Sequence, residues 1–380
     1  MRQLGAGVSG GAEALAIFHQ LLFDAWEAGR LTKPLARIKV DEKNCFGSLE
    51  WESVRRACRE FHPKHTAVAA WKHSSVSFVE QQGVQPLPKD RGAEQGDVDG
   101  PSECALTLAL VANDARSQVH QQQRNGVLPW SCNLPEDVTA AENEFDGLPG
   151  RINQFLQNRN GNDPRHGLQT GGGLADFWYL DDGDVLCSPS LVIPYLKALD
   201  LANPGVGAER SCAKSEVIFY CTRDHLEVNA AEWQLEDIRR LATVSSVDQG
   251  SITLGIATGP KEYVAEQLQR KSEVVKAMHE RVQLCGDPQT EFALAGESLG
   301  VCRVNHILRV HGAHLVDNGS PLEAFDTLGK DALDSFSWSH GRQPLSGILG
   351  SPRWRFRLEM GICNSSFCAC WRTLCHETFG

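Results

Sequence analysis

The chain has 380 residues, of which 48 are acidic and 37 basic, for a formal net charge of −11, and 41% are hydrophobic. That length allows two or three domains whose cores need no disulfide staples. The longest apolar run, about Cys104 to Ala112, is far short of the ~20 residues of a membrane-spanning helix, so no membrane partner is expected. An odd count of cysteines, 13, and an N-terminus without basic and apolar signal regions point to an intracellular, non-secreted protein with reduced thiols. The acidity itself counts against a nucleic-acid partner, because phosphate binding normally leaves a basic footprint.

Residues 1–34 open on a Gly-rich stretch, GAGVSGG, and continue as an amphipathic helix from Ala14 to Ala28. No strand precedes the glycines and no Lys-Ser/Thr follows them, so they read as a flexible N-terminus and not as a phosphate loop. Leu35–Asp41 alternates apolar and basic residues, the pattern of a half-buried strand that delivers Asp41 at its end. Leu49–Phe61 reads as a helix, and Ser75–Val79 with Val84–Leu87 as a β-hairpin around Gly83. Cys104–Ala112 is apolar on most sides, hence a buried helix.

Residues 117–173 are rich in Gln, Pro, Asn and Gly and read as a long polar insertion. Two apolar runs, Leu174–Leu180 and Asp184–Cys187, then flank Asp181-Asp182-Gly183, the pattern of a tight hairpin with the acidic pair at its tip. A helix at Leu191–Ala202 and a strand at Glu216–Cys221 follow. Beyond residue 222 the pattern is mostly helical, with helices at Glu232–Leu241, Lys261–Leu284, Glu291–Leu299 and Val301–Val310. The fold class is α+β, an antiparallel sheet with helices on one face. The expected organisation is a helical segment at 1–34, a sheet domain at 35–222, a helical region at 223–334 and an aperiodic Cys/Trp/Arg-rich tail at 335–380.

Candidate chemistry gathers at Asp41, at a strand end, and at Asp181-Asp182, at a hairpin tip. Each alone also reads as an ordinary cap or turn. If strand and hairpin are neighbours in one sheet, three carboxylates meet at its edge, and their hard oxygens suit two Mg²⁺ ions about 3.5–4 Å apart, the arrangement used in phosphoryl transfer.

Four strings occur in one order: VDEKNCFGSLEW at 40–51, RGAEQGDVDGP at 91–101, FWYLDDGDVL at 177–186, and Lys214-Ser215-Glu216 after Asn203. Together they resemble the successive palm motifs of reverse transcriptases, RNA-directed DNA polymerases, and most closely those of non-LTR (LINE-type) retrotransposons. Leu254-Gly255 falls where that family has its primer-grip motif, and the similarity spans about residues 35–256. The resemblance implies a polymerase palm followed by a helical thumb. It implies that Asp41 and Asp181 ligate both Mg²⁺ ions and that Asp182 completes the acidic cluster. Phe46 falls at the family's steric gate, where an aromatic ring excludes a ribose 2′-OH and selects deoxynucleotides. Gln95 and Gly96 would lie beside the templating base pair, Tyr179 under the primer end, and Lys214 would donate a proton to pyrophosphate. The implied partners are an RNA or DNA template with its primer, and dNTPs.

The match departs from the family at several positions. Cys45 and Gly47 stand where Ala and Asp or Asn are usual, and Val98-Asp99-Gly100 replaces Pro-Leu-Ser. Only 40 residues precede Asp41, so the expectation is a truncated enzyme whose basic fingers are largely missing. In the tail, Cys363, Cys368, Cys370, Cys375 and His376 follow neither a zinc knuckle nor a paired C-x2-C spacing. His306, His311 and His314 spread over a wide helical arc and read as exposed or packing residues. Two other functions share these residues: a non-catalytic relic of the palm, and another carboxylate–Mg²⁺ phosphotransferase or nuclease.

Overall fold

Every side chain of the strand Ala36–Val40 except that of Lys39 is buried, on both faces of a sheet, and the rest of the first compact unit is arranged around that strand. The computed structural model describes residues 2–3, 11–31, 33–79, 85, 87–93, 98–128 and 174–282, with 284, 306–307 and 310–311. They divide into two compact units, Met1–Val264 and Ala265–Gly380.

In chain order the first unit holds strand β1 (Arg2–Gln3), helix α1 (Gly11–Glu27), strand β2 (Ala36–Val40), a four-residue helix α2 (Cys45–Ser48), and helices α3 (Trp51–Phe61) and α4 (Thr66–Lys72). Next come strands β3 (Ser77–Val79) and β4 (Leu87–Lys89), helix α5 (Gly100–Arg124), strands β5 (Leu174–Tyr179) and β6 (Asp182–Cys187), and helix α6 (Val192–Ala202). Strand β7 (Glu216–Phe219), helices α7 (Arg223–Val228) and α8 (Leu235–Leu241), and strands β8 (Thr243–Ser246), β9 (Ser251–Thr253) and β10 (Ile256–Thr258) complete the order before helix α9 (Lys261–Val282), along which the first unit gives way to the second.

The main sheet has six strands in the order β1-β5-β6-β2-β7-β8. β5–β6, β6–β2 and β2–β7 pair antiparallel, while β1–β5 and β7–β8 at the two edges pair parallel. The α+β class expected from the sequence is present, but the sheet is mixed and not antiparallel throughout. Helices cover both faces and not one. On the first face Ile38, Val40, Trp178, Val185, Val217 and Phe219 pack with α3, α5 and α6 through residues such as Val54, Leu108 and Leu196. On the second, α1 lays Leu15, Phe18, Leu22 and Phe23 against Phe177, Leu186 and Ile218, with the Phe18 and Phe177 rings 5.3 Å apart. Burying each such side chain is worth roughly 1.5–3 kcal/mol. The apolar stripe of α1 needs a partner, and the alternate residues of β5, β6 and β7 supply it, so residues 11–27 belong to the sheet unit and not to a separate segment.

Other expectations shift by smaller amounts. The buried helix expected at Cys104–Ala112 runs on to Arg124, because Gln and Arg are good helix formers and Val119 and Gln123 are buried. The polar insertion therefore begins after this helix, and its remainder beyond Leu128 lies outside the described residues. The hairpin around Gly83 pairs Val79 with Leu87, three residues further along its second strand than the apolar pattern suggested. Between 243 and 258 the chain forms strands β8, β9 and β10, which the helical reading missed; their Ser- and Thr-rich runs of three or four residues carry too little apolar periodicity to show. The stretch GAGVSGG up to Gly10, the helix at Glu291–Leu299 and the cysteine tail lie outside the described residues, as does His314. In the second unit, His306 Nε2 lies 2.8 Å from Lys271 Nζ, and His311 is buried.

Strand β2 is not half-buried as its alternation implied. Arg37 is 2% exposed and its Nε donates to both oxygens of Asp184, at 3.1 and 2.9 Å. Its other nitrogens reach the hydroxyls of Ser251 at 3.2 Å and Thr253 at 2.9 Å. Burial alone would raise the pKa of Asp184, but the Arg37 charge and the neighbouring His19 hold it well below the usual carboxylate range. Removing one partner leaves the other charge buried and unpaired, so Asp184→Asn should cost about 3–5 kcal/mol in urea unfolding. An apolar pair, Arg37→Met with Asp184→Leu, should recover most of that loss.

His19, from α1, approaches Asp184 within 3.0 Å. Burial first and Arg37 second lower its pKa from 6.5 to about 4. The unfolded chain therefore binds more protons than the folded chain between those values, so stability should be full above about pH 6.5 and fall as pH drops toward about 4. In urea titrations across that window, His19→Gln should flatten the slope.

Candidate active site

Asp41 and the acidic pair are brought to one sheet edge by strand pairing. In the β2–β6 register Val40 lies opposite Gly183, so Asp41 leaves the strand beside the β5–β6 hairpin, near enough for its charge to act on Asp181 and Asp182. The β5–β6 turn is tighter than the Asp-Asp-Gly pattern suggested: Tyr179 pairs with Asp182, leaving Leu180-Asp181 as a two-residue turn. Leu180 takes φ +58°, a left-handed conformation that costs a non-glycine residue roughly 1–2 kcal/mol. Gly183 is a strand residue, and a Cβ there would meet the Trp178 ring at 2.9 Å. The glycine is needed because the indole packs across it.

A single turn grips the peptide of Asp41. Its N–H donates to Ser215 Oγ at 3.3 Å and its carbonyl accepts from the Ser211 N–H at 2.7 Å. The same turn carries Lys214, whose ammonium lies 3.6 Å from Asp41 Oδ1 with the lysine side chain 71% exposed. Among the described residues that buried oxygen has no hydrogen-bond donor. The electrostatics report the crowding. Asp182 keeps an exposed edge, yet partial burial of its carboxyl and the charges of Asp181 and Asp41 raise its pKa to about 6. Asp181 is raised as well, by burial and by Asp41.

Next to Asp41, Glu42 is buried and accepts from Asn203 Nδ2 through both oxygens, at 3.1 Å each. Burial pushes Glu42 up to about 7 against the pull of Asn203 and of Arg210. Arg210 is anchored in turn on Asp200 and on the Leu241 carbonyl. Sequence reasoning used Asn203 and Ser215 only to locate a motif and missed Glu42 and Ser211. Partners separated by 161 residues leave no local signal for such a bond.

Phe46 sits half-buried in α2 against the first core. Its carbonyl accepts from the Ala93 N–H at 2.6 Å, and the Gly92 N–H donates to the Leu49 carbonyl at 2.7 Å. Trp51 Nε1 donates to the Gly92 carbonyl at 3.0 Å. The segment that leads to Gln95 and Gly96 is thus docked on α2, while Gln95 and Gly96 themselves lie outside the described residues. Tyr179 is half-buried on the second face, with Phe177. Leu254-Gly255 forms the β9–β10 turn, at φ +48° and +80°, and Leu254 packs on that same face.

Asp41, Asp181, Asp182, Lys214 and Tyr179 therefore share one region, and Phe46 follows five residues after Asp41. Among the described residues, no group of three or more His, Cys, Asp or Glu side chains is placed as it stands to hold a metal ion.

Gly92 has φ +82°, and a Cβ there would meet the carbonyl oxygens of Gly47 and Phe46 at 2.8 Å. Gly126 has a similar φ, +74°, but nothing within 4 Å. Gly126→Ala should therefore cost only the backbone term, about 1 kcal/mol. Gly92→Ala should cost more, roughly 2–4 kcal/mol, in the same urea unfolding experiment, because it also displaces α2. No protein-family model matches the sequence, and no curated protein matches it either.

Proposed function

We propose that the chain is the palm and part of the thumb of a non-LTR-type reverse transcriptase, which adds a deoxynucleotide to a primer 3′-OH as directed by an RNA or DNA template. The observation that carries this reading is the β2–β6 pairing, which ends with Val40 opposite Gly183 and so brings Asp41, the next residue, to the end of the hairpin whose tip holds Asp181 and Asp182. The first, third and fourth of the motifs that resemble the family lie around that arrangement in chain order. A strand, a short helix and a hairpin present the first and third of them, and the turn before β7 presents the fourth.

The residues present fit two Mg²⁺ ions. Among the described residues Asp41 has a buried oxygen without a hydrogen-bond donor, Asp182 is raised by burial and by the charges of Asp181 and Asp41, and Asp181 by burial and by Asp41. Acceptors outnumber donors at this edge, and a divalent cation corrects that imbalance. Asp41, Asp181 and Asp182 would hold the ions, and when bound the ions supply positive charge to the attacking and departing oxygens of the transfer.

The chain's own groups do the rest. The grip of Ser211 and Ser215 on the Asp41 peptide fixes where that carboxylate points. The bonds from Asn203 to Glu42 hold the following residue. In the transfer the primer 3′-hydroxyl gives up its proton to solvent and its oxygen forms a bond to the α-phosphorus while the bond from that phosphorus to diphosphate breaks. Lys214, on its solvent-facing turn, is the donor of a proton to the departing diphosphate. Phe46, held by the docked 92–93 segment, bars a 2′-hydroxyl.

The test is extension of a primed RNA template by the full chain with dNTPs and Mg²⁺. Extension is expected, with a loss of about a hundredfold or more in Asp181→Asn, and Phe46→Ala should admit ribonucleotides. No extension on primed RNA or primed DNA would overturn the proposal.

A further inference from the structure

Outside the carboxylates, the first motif segment meets helix α5 through sulfur. Cys45, the first residue of α2, and Cys104, in the first turns of α5, are both buried and their Sγ atoms lie 3.1 Å apart. Both are free thiols. A disulfide needs an S–S distance of about 2.05 Å, so closure asks for an approach of about 1 Å. Helix α2 is one turn long, begins at Asn44 in a left-handed conformation and ends at the extended Leu49, so the approach falls on the shorter of the two elements.

We propose that Cys45 and Cys104 are a redox modification site, at which a peroxide joins them in a disulfide that locks α2 to α5. In the first step one sulfur, as thiolate, attacks the peroxide; the O–O bond breaks, water leaves and a sulfenic acid forms. In the second the other sulfur attacks the sulfenic sulfur, the S–O bond breaks and a second water leaves. The two sulfurs lose two electrons, the peroxide gains them, and both thiol protons end in water. A dithiol reverses the bond by exchange.

The consequence is mechanical. The bond would close a loop between residues 59 apart that holds α3, α4, β3 and β4. A cross-link restricts the unfolded chain more as the loop it closes lengthens. It would also fix the segment that carries Phe46, so the site has a meaning for the proposed polymerase, although its existence does not depend on that reading. The contact with Cys104 and burial keep the Cys45 thiol protonated well above the usual range, and both sulfurs are buried, so peroxide reaches the pair more slowly than it reaches an exposed thiol such as Cys212.

That difference sets the experiment. Accessible thiols of the native chain are first blocked with N-ethylmaleimide, and the protein is then treated with hydrogen peroxide, unfolded, alkylated with iodoacetamide and digested without reductant. The expected result is a linked peptide joining Cys45 to Cys104, lighter by two hydrogens than the reduced pair and lost on treatment with dithiothreitol. The oxidised chain should also unfold at a temperature higher by about 5 °C or more, and the rise should vanish with dithiothreitol. Cys104→Ala should give neither the linked peptide nor the rise. Recovery of Cys45 and Cys104 as separate iodoacetamide adducts after peroxide, or their linkage to other cysteines, would overturn the proposal.

Discussion

A charge pair inside the sheet fixes the relation of its parts. The Arg37 guanidinium, on β2, is closed on one side by the Asp184 carboxylate of β6 and on another by the hydroxyls of Ser251 and Thr253 on β9. An arginine cannot shed its proton in a protein, so its burial is tolerated only where acceptors surround it. The central strand, the strand that follows Asp182 and the β9 hairpin must therefore assemble together. The helix that bears His19 closes the same cluster from the second face.

From that constraint the acidic edge follows. Once β6 is held against β2 with Lys39 opposite Asp184 and Val40 opposite Gly183, the strand ends coincide and Asp41 arrives beside the β5–β6 turn. The β9–β10 turn, Leu254-Gly255, is tied through Arg37 to the same two strands, on the face that carries Tyr179. Carboxylates, tyrosine and hairpin are positioned by one hydrogen-bonded assembly with little freedom to drift. The price of the arrangement is visible in the raised carboxyls of Asp181, Asp182 and Glu42 and in the left-handed Leu180. Strain and uncompensated charge of this kind concentrate where a protein binds or reacts.

The other face contributes packing. Helices α3, α5 and α6 bury a continuous apolar layer against Ile38, Val40 and Trp178, and the short α2 is pinned over it by the glycine at 92 and the thiol pair. The loop from Arg91 to Ala93 follows α2 because Gly92 has no side chain to push the Phe46 and Gly47 carbonyls away. Phe46 is thus held by a backbone contact from Ala93, 47 residues further along the chain.

Much of this was legible in the sequence wherever a signal is local. The face of α3, with Val54, Ala57 and Cys58, was readable from 3.6-residue periodicity, and β5 and β6 from their apolar runs around an acidic turn. Asp41, Asp181 and Asp182 could be singled out because carboxylates at strand ends and turns have a known chemistry. What could not be read depends on partners distant in sequence. The alternation of β2 suggested a solvated face, and only the fold put Asp184, Ser251 and Thr253 around Arg37. Glu42 and Asn203 meet across 161 residues, Cys45 and Cys104 across 59. The parallel edge strands β1 and β8 are too short and polar to announce themselves. Local propensity and spacing determined which elements form and where the acids sit along them. The tertiary structure alone decided which charges are buried together, because burial is a property of what surrounds a side chain and not of the residues beside it in the chain.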